Sequence, residues 1–164
     1  LASYKVGTDE HLYRRSLYTF WKRTSPPPSM MIFDANGKDF CEVSRQKTST
    51  PLQALILLND PQYIEAARVL ASNILKSGSD DDTKLISQLF RTITSRYPDK
   101  DEIEKMSLYL EESEEGLKDP NKNIEDLLEI GDAPLDDTLD KTKLYKYTTL
   151  ACVILNLEET IIKS

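Results

Sequence analysis

From about residue 50 onward, apolar residues recur at helical spacing, and polar residues mark where each run starts and stops. In Thr50-Pro51-Leu52-Gln53, Thr50 is placed to cap a helix, Pro51 to open its first turn, and Gln53 to reach back to the cap. The run that follows, LQALILL, is apolar on nearly every side, which predicts burial. It ends at Asn59, and Asp60-Pro61 repeats the start signal for a helix reaching about residue 76. Ile64, Ala67, Leu70, Ala71, Ile74 and Leu75 give that helix a wide apolar stripe, and Gly78 stops it. SDDD at 79–82 leads into a helix over about 83–97, with Leu85, Ile86, Leu89, Phe90, Ile93 and Tyr97 on one face and Pro98 after its end. Asp99 and Glu102 stand at cap and third-residue spacing for a helix over about 100–116, with Ile103, Met106, Tyr109 or Leu110, and Leu117 on its inner side. A short helix over 124–130 and a long one over about 138–162 complete the chain. In the long one Leu144, Tyr147, Leu150, Ala151, Ile154, Leu155, Glu158 and Ile161, flanked by Leu157, form a mostly buried face.

The first fifty residues are less regular. Asp9 is placed to cap a helix to about residue 23, with Tyr13, Leu17, Phe20, Trp21 and Thr24 on one side. Arg14, Arg15, Lys22 and Arg23 fall largely on the other. Three prolines at 26–28 predict a rigid polyproline elbow, and SMMIF at 29–33 an apolar plug packed on the first helix. Asp34-Ala35-Asn36-Gly37 reads as a turn whose Asn-Gly supplies the positive φ. Residues 38–44, KDFCEVS, read as extended, with at most a minor strand pairing. The fold class expected is all-α: an irregular bundle of about six to seven helices with a proline-rich elbow, in one domain over 1–164.

Composition narrows the function classes. The 164 residues suffice for one core burying roughly 70% of the unfolded surface. The net charge of −7 is uneven: residues 1–68 carry nine Lys/Arg against seven Asp/Glu, and residues 69–164 twelve against twenty-one. So acidic a second half argues against general nucleic-acid binding, which needs a basic face. With two cysteines, Cys41 and Cys152, and one histidine, His11, there is no CxxC, no CxxCH and no histidine pair. Neither a structural zinc nor an attached c-type haem is expected, and no cofactor or metal is assigned. The EESEE run at 111–115 and the acidic loop around Asp132, Asp136 and Asp137 lack calcium-loop spacing. No apolar run approaches the ~20 residues of a membrane span. The chain begins LASYKVGTDE, without Met, and is read as a fragment of a larger protein.

No catalytic motif stands out: no glycine-rich phosphate loop, no GxSxG, no HExxH. Most residues of the dense block 13–68 have a structural duty as caps, turns or helix faces. Those left without one are Arg14, Arg15, Asp34, Arg45 and Asn59, together with Asp60 as a possible carboxylate partner. Arg45 is expected to pair with Asp34 or Asp60 and lock the elbow.

YRRSLYTFWKRTSPPPSMMIFDA, Cys41-Glu42-Val43 with Arg45, and TPLQALILLNDPQYIEAARVLA together resemble the C-terminal half of a planctomycete-type domain of unknown function. This is the "PSD-one" family, which accompanies cytochrome c-like modules. Phe90-Arg91, Arg96-Tyr97-Pro98 and ILNLEE at 154–159 resemble its weaker downstream blocks. The family has Asn where this chain has Ser49, so no role of that Asn transfers. The resemblance implies a large exported bacterial protein, periplasmic or extracellular, and an N-terminal half and a cytochrome c-like module as partners. It also implies a setting near polysaccharide or sulfated-glycan breakdown, but no transferable catalytic residues. Export makes a Cys41–Cys152 disulfide chemically accessible, whereas the residues alone favour two thiols.

Three functions compete. The first is a structural or interaction module, which predicts exposed apolar surface around PPPSMMIF. The second is part of a carbohydrate- or sulfated-glycan-related hydrolytic or binding site, with Asp34, Arg45, Asn59 and Asp60 converging. The third is an anion-binding surface built from Arg14, Arg15, Lys22, Arg23, Arg45 and Lys47.

Overall fold

Asp60, Asp81, Asp99 and Asp140 each begin a helix by accepting a backbone N–H into the carboxylate, and these caps lay out most of the architecture. The computed structural model describes residues 7, 12–13, 16–22, 24–37, 41, 43–44, 47–117 and 124–162. Eight α-helices and no strand occur among them. The helices are α1 (Pro28–Ile32), α2 (Pro51–Asn59), α3 (Pro61–Leu75), α4 (Asp82–Thr94), α5 (Lys100–Gly116), α6 (Ile124–Leu128), α7 (Lys141–Leu155) and α8 (Glu158–Ile161). The all-α expectation holds. The chain divides into two compact units, Leu1–Leu55 and Ile56–Ser164.

Of the helix expected over 9–23, residues 9–11, 14–15 and 23 lie outside the described residues, and Ser16–Tyr18 form a single 3-10 turn instead. Residues 19–22 are not helical. The reason is local: Tyr18-Thr19-Phe20-Trp21 is a run of weak helix formers, and a prolyl run follows soon after. Leu17 and Phe20, expected on an inner face, are exposed, Phe20 at 82%. The proline segment also differs. Pro27 is extended (φ −59°, ψ 121°), but Pro28 is the first residue of α1, where its missing N–H costs nothing. The plug is therefore a short helix. It closes in a Schellman arrangement: Ala35 N–H donates to Met30 O (2.8 Å) and Asp34 N–H to Met31 O (3.3 Å). The left-handed residue of that closure is Asp34 (φ 57°), not the Asn-Gly pair. Asp is one of the few residues other than glycine that tolerate this region.

α2 starts as its sequence dictates. Thr50 N–H donates to Gln53 Oε1 (2.9 Å) and Gln53 N–H to Thr50 Oγ1 (3.3 Å). Its expected burial is only half correct: Gln53 is 0% exposed, while Leu52 and Leu55 are 52% and 57% exposed.

The second unit has one apolar core. α7 packs against α3, α4, α5, α6 and α8, most extensively against α3. A helix with that many neighbours is buried nearly all round, so Tyr145 and Cys152 join Leu144, Tyr147, Leu150, Ala151 and Ile154 inside. Thr148 is buried too, and its hydroxyl is satisfied by donating to Leu144 O (2.7 Å). α4 contributes Leu85, Ile86, Leu89 and Phe90, and α5 contributes Met106 and Leu110. The helix expected over 138–162 is two: α7 stops at Leu155, and α8 restarts after Asn156 and Leu157.

Candidate functional site

The polar residues of the first unit meet at Gln53. Its side-chain Nε2 donates to Ile32 O (2.8 Å), the last residue of α1, and to Thr48 Oγ1 (3.1 Å). Its Oε1 takes the N–H of Thr50. Thr48 in turn donates through its N–H (2.8 Å) and its hydroxyl (2.7 Å) to one oxygen, Oδ2, of Asp34. Asp34 is thus placed by the left-handed close of α1, and the network joins α1, the segment at Thr48 and the start of α2.

A carboxylate 2.7 Å from a threonine hydroxyl is half of a nucleophile–base pair in outline. Here, however, the same carboxylate oxygen also receives the Thr48 N–H, and the hydroxyl oxygen is occupied by the Gln53 amide. Each partner completes another's valence, which is the chemistry of a lock.

The other expected residues separate. Asp60 caps α3, accepting Gln62 N–H at 2.9 Å. Asn59 is an exposed last residue of α2. Lys22 and Lys47 are exposed. Arg14, Arg15, Arg23, Arg45 and His11 lie outside the described residues, as does any pairing of Arg45 with Asp34 or Asp60. Cys41 is an exposed free thiol and Cys152 a buried one, whose ionisation burial pushes up to about 11. Among the described residues no group of three or more His, Cys, Asp or Glu could hold a metal ion.

Two clusters in the second unit were not visible in the sequence. Glu65 and Arg68 of α3 are buried, at 4% and 3% exposure. Glu65 accepts the N–H groups of Asp132 (3.0 Å) and Ala133 (2.9 Å), while Arg68 donates to Ala133 O (2.7 Å) and Pro134 O (3.4 Å). Both charges are therefore turned on one loop, between α6 and α7. The only local hint was an acid and a base three residues apart in an otherwise apolar helix.

The second cluster is Arg96, which forks to Glu102 (2.5 and 2.8 Å) and Glu159 (2.7 and 2.8 Å) and lies over the Phe90 ring. Arg96 hydrogen bonding holds the Glu102 carboxyl down at about 2, and the two carboxylates push the guanidinium further up. Tyr147 donates to Asp82 at 2.7 Å, and burial, then that bond, raise its phenol.

No helix among the described residues is long and apolar enough to cross a membrane. Neither a curated protein nor a solved structure matches the chain. A family model does match, over residues 2–110, a stretch that takes in the Asp34–Thr48–Gln53 lock, the Asp60 cap, Glu65 and Arg68. The chain belongs to that family, PSD1, described as "Protein of unknown function (DUF1553)".

Proposed function

We propose that this chain is a non-catalytic helical module, a structural and interaction part of an exported multidomain bacterial protein that also carries cytochrome c-like modules. Its partner is the rest of the parent protein, and the contact is made through apolar side chains of the first unit. One observation supports this above the others: α2 buries a polar residue, Gln53, and leaves Leu52 and Leu55 more than half exposed. Met31 of α1, in the PPPSMMIF segment, is exposed as well. A helix face of that kind fits a surface covered in the assembled protein. Asp34 and Asp60, needed for a hydrolytic site, are both engaged in backbone capping or locking, which favours the module over the enzyme.

The test is charge insertion in this chain, mixed with the remaining domains of the parent. Leu52→Glu with Leu55→Glu should leave helicity and melting of this chain nearly unchanged. It should weaken association with the remaining domains, separately expressed, by tenfold or more. Unchanged association would refute the reading.

A further inference from the structure

The family-matched stretch ends at Leu110, inside α5, yet the core of the second unit does not end there. Ala67, Ala71, Leu85, Leu89 and Phe90 lie before that limit, while Leu128, Leu144, Tyr147, Leu150 and Ile154 lie beyond it, in the same buried cluster. Polar ties cross the limit too. Glu65 and Arg68 hold the loop at 132–134, and Asp82 accepts the Tyr147 hydroxyl. Without residues after 110, α3 would present Ala67, Ala71 and Ile74 to water. It would also keep one carboxylate and one guanidinium whose observed hydrogen-bond partners had gone.

We infer that the joint face of α3 and α4 is a docking surface for one apolar helix, which this chain supplies itself as α7, so that residues 2–110 do not form a self-standing domain. α3 packs more extensively against α7 than against any other helix, and its buried positions include two alanines one turn apart, Ala67 and Ala71. Small residues of that kind let helix backbones approach closely. The segment that leads toward α7 is tied at 132–134 to the two buried charges of α3, which holds the approach of the helix that Asp140 then begins. α7 answers with a wide apolar face, Leu144, Tyr145, Tyr147, Leu150, Ala151 and Ile154, which packs among α3, α4, α5 and α6.

Native-state hydrogen exchange on the unaltered chain, in rising sub-denaturing urea, tests this. The slowest amides of α3 and α4 should merge with those of α7 into one opening reaction. Protection of α3 and α4 that outlasts α7 by tenfold or more would overturn the inference. A second arm replaces residues 118–123 with a protease-recognition sequence and cuts the folded protein. The two pieces should co-elute and unfold in a single urea transition. Recovery of the 1–117 piece alone, with its helical circular dichroism intact, would overturn it.

Discussion

Gly131 and Gly78 both sit at left-handed φ, +97° and +75°, but in different surroundings. A Cβ on Gly78 would meet nothing within 4 Å. A Cβ on Gly131 would lie 2.2 Å from Glu65 Oε2, 2.5 Å from its Cδ and 2.6 Å from its Cγ. For either glycine, alanine costs about 1–2 kcal/mol in backbone strain, and the stiffer unfolded chain returns about 0.4–1 kcal/mol. Gly78→Ala should therefore destabilise by about 1 kcal/mol. In Gly131→Ala the whole end of the Glu65 side chain must move, not only its tip. That breaks two charge-assisted bonds to Asp132 and Ala133 in a buried site, and mutations that strand a buried charge cost about 3–5 kcal/mol. With about 2–4 °C lost per kcal/mol in a chain of this size, the melting point should fall by about 10 °C, against about 3 °C for Gly78→Ala. Urea unfolding followed at 222 nm gives the free energies. Glu65→Ala supplies the cycle: in that background Gly131→Ala should cost only the strain, leaving a coupling of about 2 kcal/mol or more. Equal costs for the two glycines, or a coupling near zero, would refute the account of the clamp.

Other substitutions test the remaining networks. Gln53→Ala removes bonds to Ile32 O, Thr48 and Thr50 N–H from a fully buried position and should cost about 3 kcal/mol, against about 1 kcal/mol for Thr50→Ala, both read by urea unfolding. Glu102 ionises at about 2 when folded and near 4.5 when unfolded, so its contribution is full above pH 4.5 and is lost as pH falls toward 2. That contribution is a surface network worth about 1 kcal/mol. Glu102→Gln should flatten the fall of stability across that window, and an unchanged slope would count against the Arg96 network. Tyr147→Phe should remove from the alkaline ultraviolet titration a phenol that ionises above the ordinary tyrosine range, and cost about 1 kcal/mol.

Helix starts were the most legible part of the chain because they depend on residues within four positions of one another. Thr50 with Gln53, Asp60 with Pro61, and Asp99 with Glu102 behave as their spacing predicts. Periodicity likewise located α3, α4 and α5 and most of their inner faces, though Tyr97, expected on the face of α4, stands past the left-handed Ser95 that ends the helix and is exposed. It failed over 16–22, where an apolar stripe was read as a helix although the residue types resist one. It also failed in α2, because apolar character says that a side chain favours cover, not that cover is present. Of the candidate site residues, Asp34 joins the lock, but its partner Thr48 is fourteen positions away, and Gln53, which reaches Asp34 only through Thr48, is nineteen, beyond any local rule. Glu65, which in the sequence has only a local structural explanation or a surface default, and Arg68 have a role that escaped local rules for the same reason: their partners stand more than sixty residues on.

The four aspartate caps have a consequence for how the core is specified. Successive residues in a helix are turned about 100° from one another. A helix that began one residue late would keep its composition but rotate its apolar stripe by more than a quarter turn. Asp81, Asp99 and Asp140 lie on or near the surface, yet by fixing the first turn they set the phase of α4, α5 and α7. Which leucines point inward is thus decided partly by side chains that never enter the interior. Exchanging one of these aspartates for alanine would act on packing by loosening angular register, with no atom removed from the core.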